Sequence, residues 1–310
     1  MNVPISLDDF EKLIKIERNN NIVTPYDLAY KSFIDLSYQN KTRDFFVNNS
    51  SEFILKMREQ CWREFLSYER EFTVRLLKKL IDDKRISNMT AREALDDYLE
   101  TYPDHFYALA LSNTQSRRSR AGKEFEAILE ILLIGADLRV DSQGAIGKDY
   151  FQKNGLGKLV DFVSPGVVEY MHNKRNTTLI SAKTTLRERW QEVPEEVTRT
   201  GAREMYLATL DDIITKETIK VLYEANVIIA TTKSNKENLY NKDQRIVSFE
   251  ELITIIAEAA AKWNDYAYTK NDLEQMKAYL ISQVEKHEKH EWVKKYYLER
   301  LSSLSELNHV

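Results

Sequence analysis

The stretch that decides the fold is "MYLATLDDIITKETIKVLYEANVIIATT", residues 205–232. Its two ends, 205–210 and 227–232, are short apolar runs with the length and residue types of β-strands. Between them, "TIKVLYEAN" (218–226) has the apolar spacing of a helix. A strand, a helix and a second strand in this order predict a βαβ unit with parallel pairing. The chain is therefore predicted to have an α/β fold.

The flanking sequence extends this prediction in both directions. Two further strand-like runs, "LVDFV" (159–163) and "TTLISAK" (177–183), precede the βαβ unit, and the helical pattern "FEELITIIAEAAAKW" (249–263) follows it. "GKEFEAILEILLIGA" (122–136) is predicted to be an apolar helix. No repeat or Pro/Gly linker interrupts the chain. We expect one domain over 1–310, with a helical part at 1–105, an α/β core at 106–270 and a helical part at 271–310.

Composition excludes several classes of protein. The chain has 310 residues, 43% of them hydrophobic, 30% of them charged and only one of them cysteine. Cys61 alone cannot form an intramolecular disulfide or a cysteine zinc site, and it is predicted to be buried in a helix. No apolar run approaches the roughly 20 residues that span a bilayer. The N-terminus lacks a signal-peptide pattern. We therefore expect a cytoplasmic protein with no membrane segment.

Common catalytic motifs do not occur. The two Gly-Lys pairs lack the spacing of a phosphate-binding P-loop, and neither GxSxG nor GxGxxG is present. "HEKH" (287–290) spaces its histidines by three residues, whereas a zinc-protease helix spaces them by four. Because "HEKH" lies in a strongly charged helical stretch, it is predicted to be a solvent-exposed face.

Three ionisable residues near the predicted strand ends could bind a metal ion. Asp161 lies among apolar neighbours in "KLVDFV", Lys183 ends "TTLISAK", and Glu196 follows at the start of a predicted helix. A carboxylate in an apolar strand is unfavourable unless it is paired or bound to a cation. Two carboxylates with a lysine suit Mg²⁺ and a polarised water. From spacing alone, a structural Asp–Lys pair inside an α/β core is the favoured explanation of the pattern.

Two charged segments are candidates for contact with nucleic acid. "SAKTTLRERW" (181–190) carries Arg-Glu-Arg directly after Lys183, and "SNTQSRRSRAGK" (112–123) has four cationic side chains and no acidic one. Arginine donates to guanine and glutamate accepts from cytosine in the major groove, so the triplet suits C·G pairs. The alternatives are a surface salt-bridge cluster and a solvated face. A net charge of −4 argues against nonspecific coating of nucleic acid but not against local contacts.

The surrounding sequence resembles the PD-(D/E)xK nuclease superfamily. Within it, "RAGKEFE" (120–126), "GKLVDFV" (157–163) and "SAKTTLRERWQEVPEEVTR" (181–199) resemble the SsoII, PspGI and EcoRII group of type II restriction endonucleases, which read CCNGG or CCWGG. The similarity extends over most of the chain. It implies a restriction-endonuclease core: a central mixed sheet flanked by helices, with helical additions at both ends.

The resemblance also implies an active site. Asp161 and Glu196 correspond to Mg²⁺ ligands, Lys183 to the lysine that positions the attacking water, and Glu126 to a fourth acidic position. The sequence departs from the superfamily pattern at Val160, where proline is usual, and at Ser181, where an acid is usual. In this group the following helix supplies the missing acid. Glu195 is adjacent to Glu196, and the sequence leaves the choice between them open.

Contacts with DNA follow from the same resemblance. It assigns Arg187, Glu188 and Arg189 to the C·G pairs, and Gln115 to the minor groove. Arg117, Arg118, Arg120 and Lys123 become candidate phosphate contacts. Enzymes of this group flip the central nucleotides out of the duplex, and an extruded base needs a stacking surface. Arg58 and Trp62, four residues apart on one helix and off its apolar stripe, are predicted to hold that base.

The sequence thus leads to one main functional expectation. We expect an Mg²⁺-dependent, homodimeric type II restriction endonuclease of the bacterial cytoplasm that cuts double-stranded DNA at CCNGG, with no requirement for ATP or S-adenosylmethionine. The alternatives are a repair or junction-cleaving nuclease of the same fold and a catalytically inert DNA-binding protein.

Overall fold

The structure is a computed structural model that describes residues 4–143, 147–156, 160–187 and 189–307. The chain forms two compact units. The first consists of Met1–Leu28 and Glu59–Glu124, and the second of Ala29–Arg58 and Phe125–Val310. Of the boundaries expected from the sequence, residue 105 lies inside a continuous helix, Pro103–Gly135, and residue 270 begins another.

The described residues form fifteen α-helices and six strands, in the order expected of an α/β protein with helical ends. The helices are α1 Leu7–Asn21, α2 Pro25–Asp35, α3 Arg43–Asn48, α4 Ser50–Lys78, α5 Asp83–Ile86, α6 Ala91–Thr101, α7 Pro103–Gly135, α8 Gly147–Lys153, α9 Val167–His172, α10 Val193–Thr200, α11 Lys216–Glu224, α12 Lys233–Leu239, α13 Phe249–Ala261, α14 Lys270–Lys286 and α15 Glu291–Leu307. The strands are β1 Asp141–Ser142, β2 Phe162–Ser164, β3 Thr178–Lys183, β4 Met205–Thr209, β5 Val227–Thr231 and β6 Ile246–Ser248.

The sheet of the second unit is mixed, as predicted. Its strands follow the order β1-β2-β3-β4-β5-β6, so each strand pairs with its neighbour in sequence. The pairs β1–β2 and β2–β3 are antiparallel, and the pairs from β3 to β6 are parallel. The βαβ unit of residues 205–232 is confirmed, because β4 pairs in parallel with β5 in the register Met205 to Val227.

One apolar cluster packs α10 against the face of the sheet from which Leu179 projects. Leu179 of β3, Leu207 of β4 and Ile229 of β5 belong to this cluster, together with Val193 and Val197 of α10. Side chains alternate between the two faces of a strand. The side chains of Ser181 and Lys183 therefore project from the same face of β3 as Leu179, toward α10. Trp190 packs against this cluster too.

The helices of the second unit begin with capping residues that sequence rules recognise. The Thr215 hydroxyl accepts a hydrogen bond from the Thr218 amide at the start of α11. Ser248 and Glu251 form a reciprocal capping box at the start of α13. Each cap satisfies backbone N–H groups that have no partner inside the helix, which stabilises the helix start by about 1 kcal/mol.

The "HEKH" segment is not the exposed helical face expected from its charge. Helix α14 ends before His287, and residues 287–290 form the turn that leads into α15. Both imidazoles turn inward: His287 stacks on Tyr297, and its Nδ1 lies 3.1 Å from Nδ1 of His290. His287 also lies beside the buried carboxylate of Glu130. The prediction was wrong because it continued the helix through its end.

The first unit is helical and has its own apolar core. Phe10 and Ile14 of α1 pack with Phe72 and Leu76 of α4 and with Leu109 of α7. The buried stripe predicted on α4 is confirmed, and it includes Cys61. Helix α7 starts at Pro103, about twenty residues before the predicted apolar helix, so the basic run 112–123 lies on this helix. Among the described residues, no helix is long and apolar enough to cross a membrane.

Candidate active site and nucleic-acid interface

Asp161 and Lys183 lie together at one end of β2 and β3. The Asp161 amide donates to the Ile180 carbonyl at 2.9 Å, and its Oδ2 accepts from the Ala182 amide at 2.6 Å. Lys183, next to Ala182, is the last residue of β3 and is only 7% exposed. The prediction that these two residues end neighbouring strands is confirmed, except that Asp161 comes one residue before β2 rather than within it.

The geometry shows how the backbone orients the Asp161 carboxylate. Asp161 is opposite Ser181, because Phe162 pairs with Ile180 and the strands are antiparallel. Its carbonyl also accepts from the Gln143 amide at 2.8 Å. Asp161 is thus held by backbone bonds on both sides, and the hydrogen bond from Ala182 fixes its carboxylate beside Lys183. A carboxylate held in place in this way can bind a cation without first being ordered.

Ser181 marks a second polar group on the same face of β3. It occupies the position where the superfamily has an acid, and its hydroxyl is buried without a hydrogen-bond partner in the described part of the chain. A buried hydroxyl is stable when it bonds to water or a polar group. Such an atom two residues before Lys183 fits a site that holds a hydrated ion.

Helix α10 carries the predicted acidic ligand. Val193, Val197 and Thr200 form its buried side, and position 196 falls on that side by the helical spacing i, i+3, i+4, i+7. Position 195 falls elsewhere, and Glu195 is exposed and paired with Arg199 at 2.6 Å. The side chain of Glu196 lies outside the described part of the structure. Position 196 thus shares the helical spacing of the buried residues of α10, and position 195 does not.

The chemical types of the candidate ligands, carboxylate and hydroxyl oxygens, suit a hard cation. Carboxylate, hydroxyl and water oxygens are the ligands that Mg²⁺ prefers. Within the described residues, no group of three or more His, Cys, Asp or Glu side chains could hold a metal ion. Glu126, the fourth predicted acid, is half-buried on α7 between the buried Phe125 and Ala127.

The segment after Lys183 leaves the sheet through a fixed turn. Leu186 is buried in the core, and Arg187 is exposed with φ of 37°, in the left-handed region. Glu188 lies outside the described residues, as does the side chain of Arg189. Arg189 is the first residue of a short 3₁₀ helix, Arg189–Glu192.

Sequence reasoning missed Asp211, which touches this segment. Asp211 follows β4, and its Oδ2 accepts a hydrogen bond from the Leu186 amide at 2.5 Å. The available signal was the pair of aspartates after the strand "MYLATL", at the carboxyl end where parallel strands present polar residues. No pattern in the sequence indicated which distant segment would receive the carboxylate.

On the first unit, the basic run forms an exposed face of α7 with one exception. Gln115, Arg118 and Lys123 are exposed and make no hydrogen bond or ion pair with other described residues. Arg117 is about half exposed and forms a bidentate ion pair with Glu69, with its Nε 2.9 Å from both carboxylate oxygens.

Arg120 is the exception, since it faces the core of the first unit. It is 8% exposed, donates to the Val23 carbonyl at 2.7 Å, stacks over Phe65 at 4.6 Å and lies 3.5 Å from Glu124. These contacts make Arg120 a packing residue in this structure. We therefore remove Arg120 from the candidate phosphate contacts, because it lies on the buried side of α7 and not on the side that faces solvent.

The two residues predicted to hold a flipped base both lie on α4. Trp62 is 44% exposed, so it is not a core residue. The guanidinium of Arg117 lies 5.5 Å from the centre of the Trp62 ring, and Phe65 lies 6.0 Å away. Arg58, one helical turn before Trp62, is half-buried. An exposed indole held by a cation is a suitable surface for stacking.

The sequence has a close relative among characterised enzymes. It is 55% identical over 300 residues to the type II restriction enzyme SsoII of Shigella sonnei, a match that covers 97% of this chain and 98% of SsoII. The chain belongs to the SsoII family of type II restriction enzymes. A family model described as EcoRII C terminal matches residues 83–253 of this SsoII-family chain. The type II restriction enzyme EcoRII of Escherichia coli is 29% identical over 134 residues, which are 42% of this chain and 31% of EcoRII.

Solved structures show the same relationship. Metal-depleted Ecl18kI in complex with uncleaved DNA matches with a TM-score of 0.89 and 53% identity, over 96% of this chain and all of that chain. The complex of the restriction endonuclease PspGI with substrate DNA matches with a TM-score of 0.59 and 18% identity, over 79% of this chain and 96% of that chain. PspGI shares the fold. The SsoII-family chain thus has the α/β fold of the PD-(D/E)xK nucleases.

Proposed function

We propose that this SsoII-family chain is an Mg²⁺-dependent endonuclease that cuts double-stranded DNA at CCNGG, leaving a 5′-phosphate and a 3′-hydroxyl. The observation that carries the proposal is the placement of Asp161 beside Lys183 on the face of the sheet covered by α10. The relationship to SsoII and the DNA-bound state of Ecl18kI support it.

Each residue of the site has a distinct task. Asp161 and Glu196 would hold Mg²⁺ from the sheet and from α10, with Glu126 as an additional acid. When bound, the ion lowers the pKa of a water and offsets charge on the scissile phosphate. Lys183 donates a hydrogen bond to the attacking water and directs it toward phosphorus. The low exposure of Lys183 keeps its ammonium group close to one position.

Several segments of the chain are assigned to recognition of the target. Arg187, Glu188 and Arg189 read the C·G pairs in the major groove, and Gln115 contacts the minor groove. Arg117, Arg118 and Lys123 contact phosphates. Arg58 and Trp62 hold a flipped central base, for which Trp62 offers an exposed ring. A palindromic site requires two equivalent readers, so the active species is a homodimer.

The decisive experiment is digestion of a fully sequenced plasmid with Mg²⁺, followed by mapping of the ends. We expect every cut at CCNGG and 5′-phosphate termini. Cuts that depend on a DNA branch, a mismatch or a lesion rather than on sequence would favour a repair or junction nuclease. Sequence-specific binding without cutting would identify an inert DNA-binding protein. Ends scattered without sequence preference would contradict the proposal.

A substitution tests the catalytic assignment. Lys183→Ala should lower the cleavage rate by at least about a hundredfold, because one group that stabilises the transition state contributes that much. Binding of a CCNGG duplex should change by less than about threefold, since the lysine acts on water rather than on the bases. Lys242→Ala, which removes an exposed lysine, should cut like the unsubstituted protein. Equal cleavage by both variants would refute the role of Lys183.

A further inference from the structure

Asp211 links the end of β4 to the segment that follows β3. Its carboxylate accepts the Leu186 amide proton at 2.5 Å, and the amide of the preceding Leu210 donates to the Thr184 carbonyl at 3.3 Å. The two bonds extend the pairing of β3 with β4 beyond its last register pair, Lys183 with Thr209. They hold the chain at Thr184 and Leu186, two of the three residues that lead from Lys183 to Arg187.

Asp211 is itself fixed by Asn235 of α12, the helix that follows β5. Asn235 donates its side-chain amide to the Asp211 carbonyl and to the Thr231 hydroxyl, each at 3.3 Å. The Asp211 amide bonds the Thr209 hydroxyl at 3.3 Å. Thr209 and Thr231 are fully buried. The carboxylate therefore projects from a turn held at the ends of two central strands.

The held segment changes direction at Arg187. Leu186 is anchored twice, by its side chain in the core and by its amide on Asp211. The next residue, Arg187, has a φ of 37°, a conformation that residues other than glycine rarely adopt. A rare conformation persists where the surrounding contacts determine it. The bond from Leu186 to Asp211 is the contact immediately before it.

We propose that Asp211 is a positioning residue for sequence recognition: its carboxylate fixes the backbone at Leu186, the residue directly before Arg187, which begins the Arg-Glu-Arg triplet. The inference rests on the proposed function, because it assumes that this triplet reads bases. Asp211 acts through the backbone and touches no DNA. A charged acceptor suits the task, since a hydrogen bond from an amide to a carboxylate is stronger than one to a neutral group.

A purely electrostatic effect of Asp211 would change DNA binding in the opposite direction, so the two explanations can be distinguished. A carboxylate near a DNA-binding segment repels phosphates, so its removal should strengthen DNA binding if charge were its only effect. Loss of positioning should instead weaken binding to the cognate site alone, because misdirected side chains lose their bonds to bases but not their charge.

The experiment compares Asp211→Ala, Asp211→Asn and Asp212→Ala in the full-length protein. Asp212 is exposed, and its side chain makes no hydrogen bond within the described residues, so Asp212→Ala removes the same charge without the contact. For each variant, kcat/KM is measured on a CCNGG duplex and on a duplex with one outer C·G pair replaced. Binding to both duplexes and to an unrelated duplex is measured without metal.

Asp211→Ala should lower kcat/KM at CCNGG by about ten- to a hundredfold, the discrimination that one bidentate base contact supplies. Cleavage at the altered site should fall by less than about threefold, so the ratio between the two sites collapses. Asp211→Asn keeps an acceptor for the Leu186 amide and should retain most of the ratio. Asp212→Ala should retain all of it.

Three outcomes would overturn the inference: an unchanged ratio in a folded Asp211→Ala, an equal loss at both sites, or tighter binding to every duplex. If Asp211→Ala does not fold, Asn235→Ala, which frees the Asp211 carbonyl, must lower the ratio in its place. A wild-type protein that cuts without sequence preference would refute the proposed function. A sequence-specific wild type with an indifferent Asp211→Ala would refute the positioning role alone.

Discussion

Asp141 shows how burial changes the chemistry of a single side chain. It lies on β1, where the Val167 amide donates to it at 2.9 Å and Arg300 at 3.2 Å. Burial raises the pKa of Asp141 to about 6, and the nearby Glu169 carboxylate adds to the increase. Arg300 and the Val167 amide oppose it without cancelling it. Tyr150 and Tyr279 also face this group.

The raised pKa makes stability depend on pH in a defined direction. Between pH 3.8, the ordinary value, and about pH 6, the folded state binds the proton that the unfolded state has lost, so stability falls as pH rises. Asp141→Asn removes this effect. The unfolding free energy of the unsubstituted protein relative to Asp141→Asn should decrease by about 2–3 kcal/mol over this range and then stay level. Urea unfolding at pH 4, 5, 6 and 7 measures it. A difference that is flat with pH, as expected for the exposed Asp212→Asn, would contradict the assignment.

At this scale the sequence predicted residues that their own neighbours make conspicuous better than residues whose partner lies in a distant segment. Asp161 and Lys183 were found because apolar neighbours made each of them conspicuous. Asp211 was missed, because its partner is an amide 25 positions earlier and nothing in either segment identifies the other. Arg120 was placed with the basic run, although the helix turns it toward Val23 and Phe65. A run of like charges does not show which member lies on the buried side.

Helix α10 places positions 195 and 196 on different sides, a difference that residue types could not predict. Glu195 and Glu196 are adjacent and chemically identical, but successive helical positions differ by about 100° around the axis. Position 196 shares the side of Val193, Val197 and Thr200, whereas Glu195 is exposed beside Arg199. The backbone of the helix alone therefore separates the two acids.

Parallel substitutions test that separation. Glu196→Gln should lower Mg²⁺-supported cleavage by at least about a hundredfold, because it removes a charged ligand that the site needs. Glu195→Gln should leave the rate unchanged and cost no more than about 0.5 kcal/mol of stability, as expected for an exposed i, i+4 pair. Single-turnover cleavage and thermal unfolding of the two variants provide the comparison. The reverse order of activity would move the metal ligand to Glu195.

Elements with a strong periodic pattern were predicted well, and the errors have local causes. The strands β3, β4 and β5 and helix α13 lie where their patterns placed them. The strand β1 has only two residues, too few to show an alternation of apolar and polar residues in the sequence. Helix α7 starts early because Pro103 suits a first helical turn, whereas the polar run after it hides the helical period. Helix α14 ends at Lys286, and no glycine or proline follows it to indicate the end in the sequence.

At the scale of the whole molecule, the net charge does not favour DNA binding, so local positive charge must supply the affinity. The net charge is −4, so the protein as a whole repels DNA weakly. Affinity must then come from particular cationic side chains. On the first unit, Arg118 and Lys123 are exposed, whereas the equally cationic Arg120 is buried. Binding should therefore depend on salt through a few residues rather than through the total charge.

The salt dependence of DNA binding distinguishes the exposed Arg118 and Lys123 from the buried Arg120. Arg118→Ala and Lys123→Ala should each reduce the slope of log K against log salt concentration by about 0.9, the value for one lost phosphate contact. Arg120→Ala should leave the slope unchanged and lower the free energy of unfolding by about 1–3 kcal/mol, because Val23 loses a buried donor. Fluorescence anisotropy between low and moderate salt, with thermal unfolding alongside, gives both quantities. A reduced slope for Arg120→Ala would restore it to the phosphate contacts.

The short connection between Lys183 and Arg187 also limits how such an enzyme can be redesigned. Only Thr184, Thr185 and Leu186 separate the lysine at the end of β3 from the first residue of the Arg-Glu-Arg triplet. The proposed catalytic lysine and the proposed base-reading triplet therefore share one short stretch of backbone and cannot be exchanged as modules. Laboratory evolution toward a new target will select on cleavage rate and target choice at once. A library that varies the triplet should vary position 211 with it.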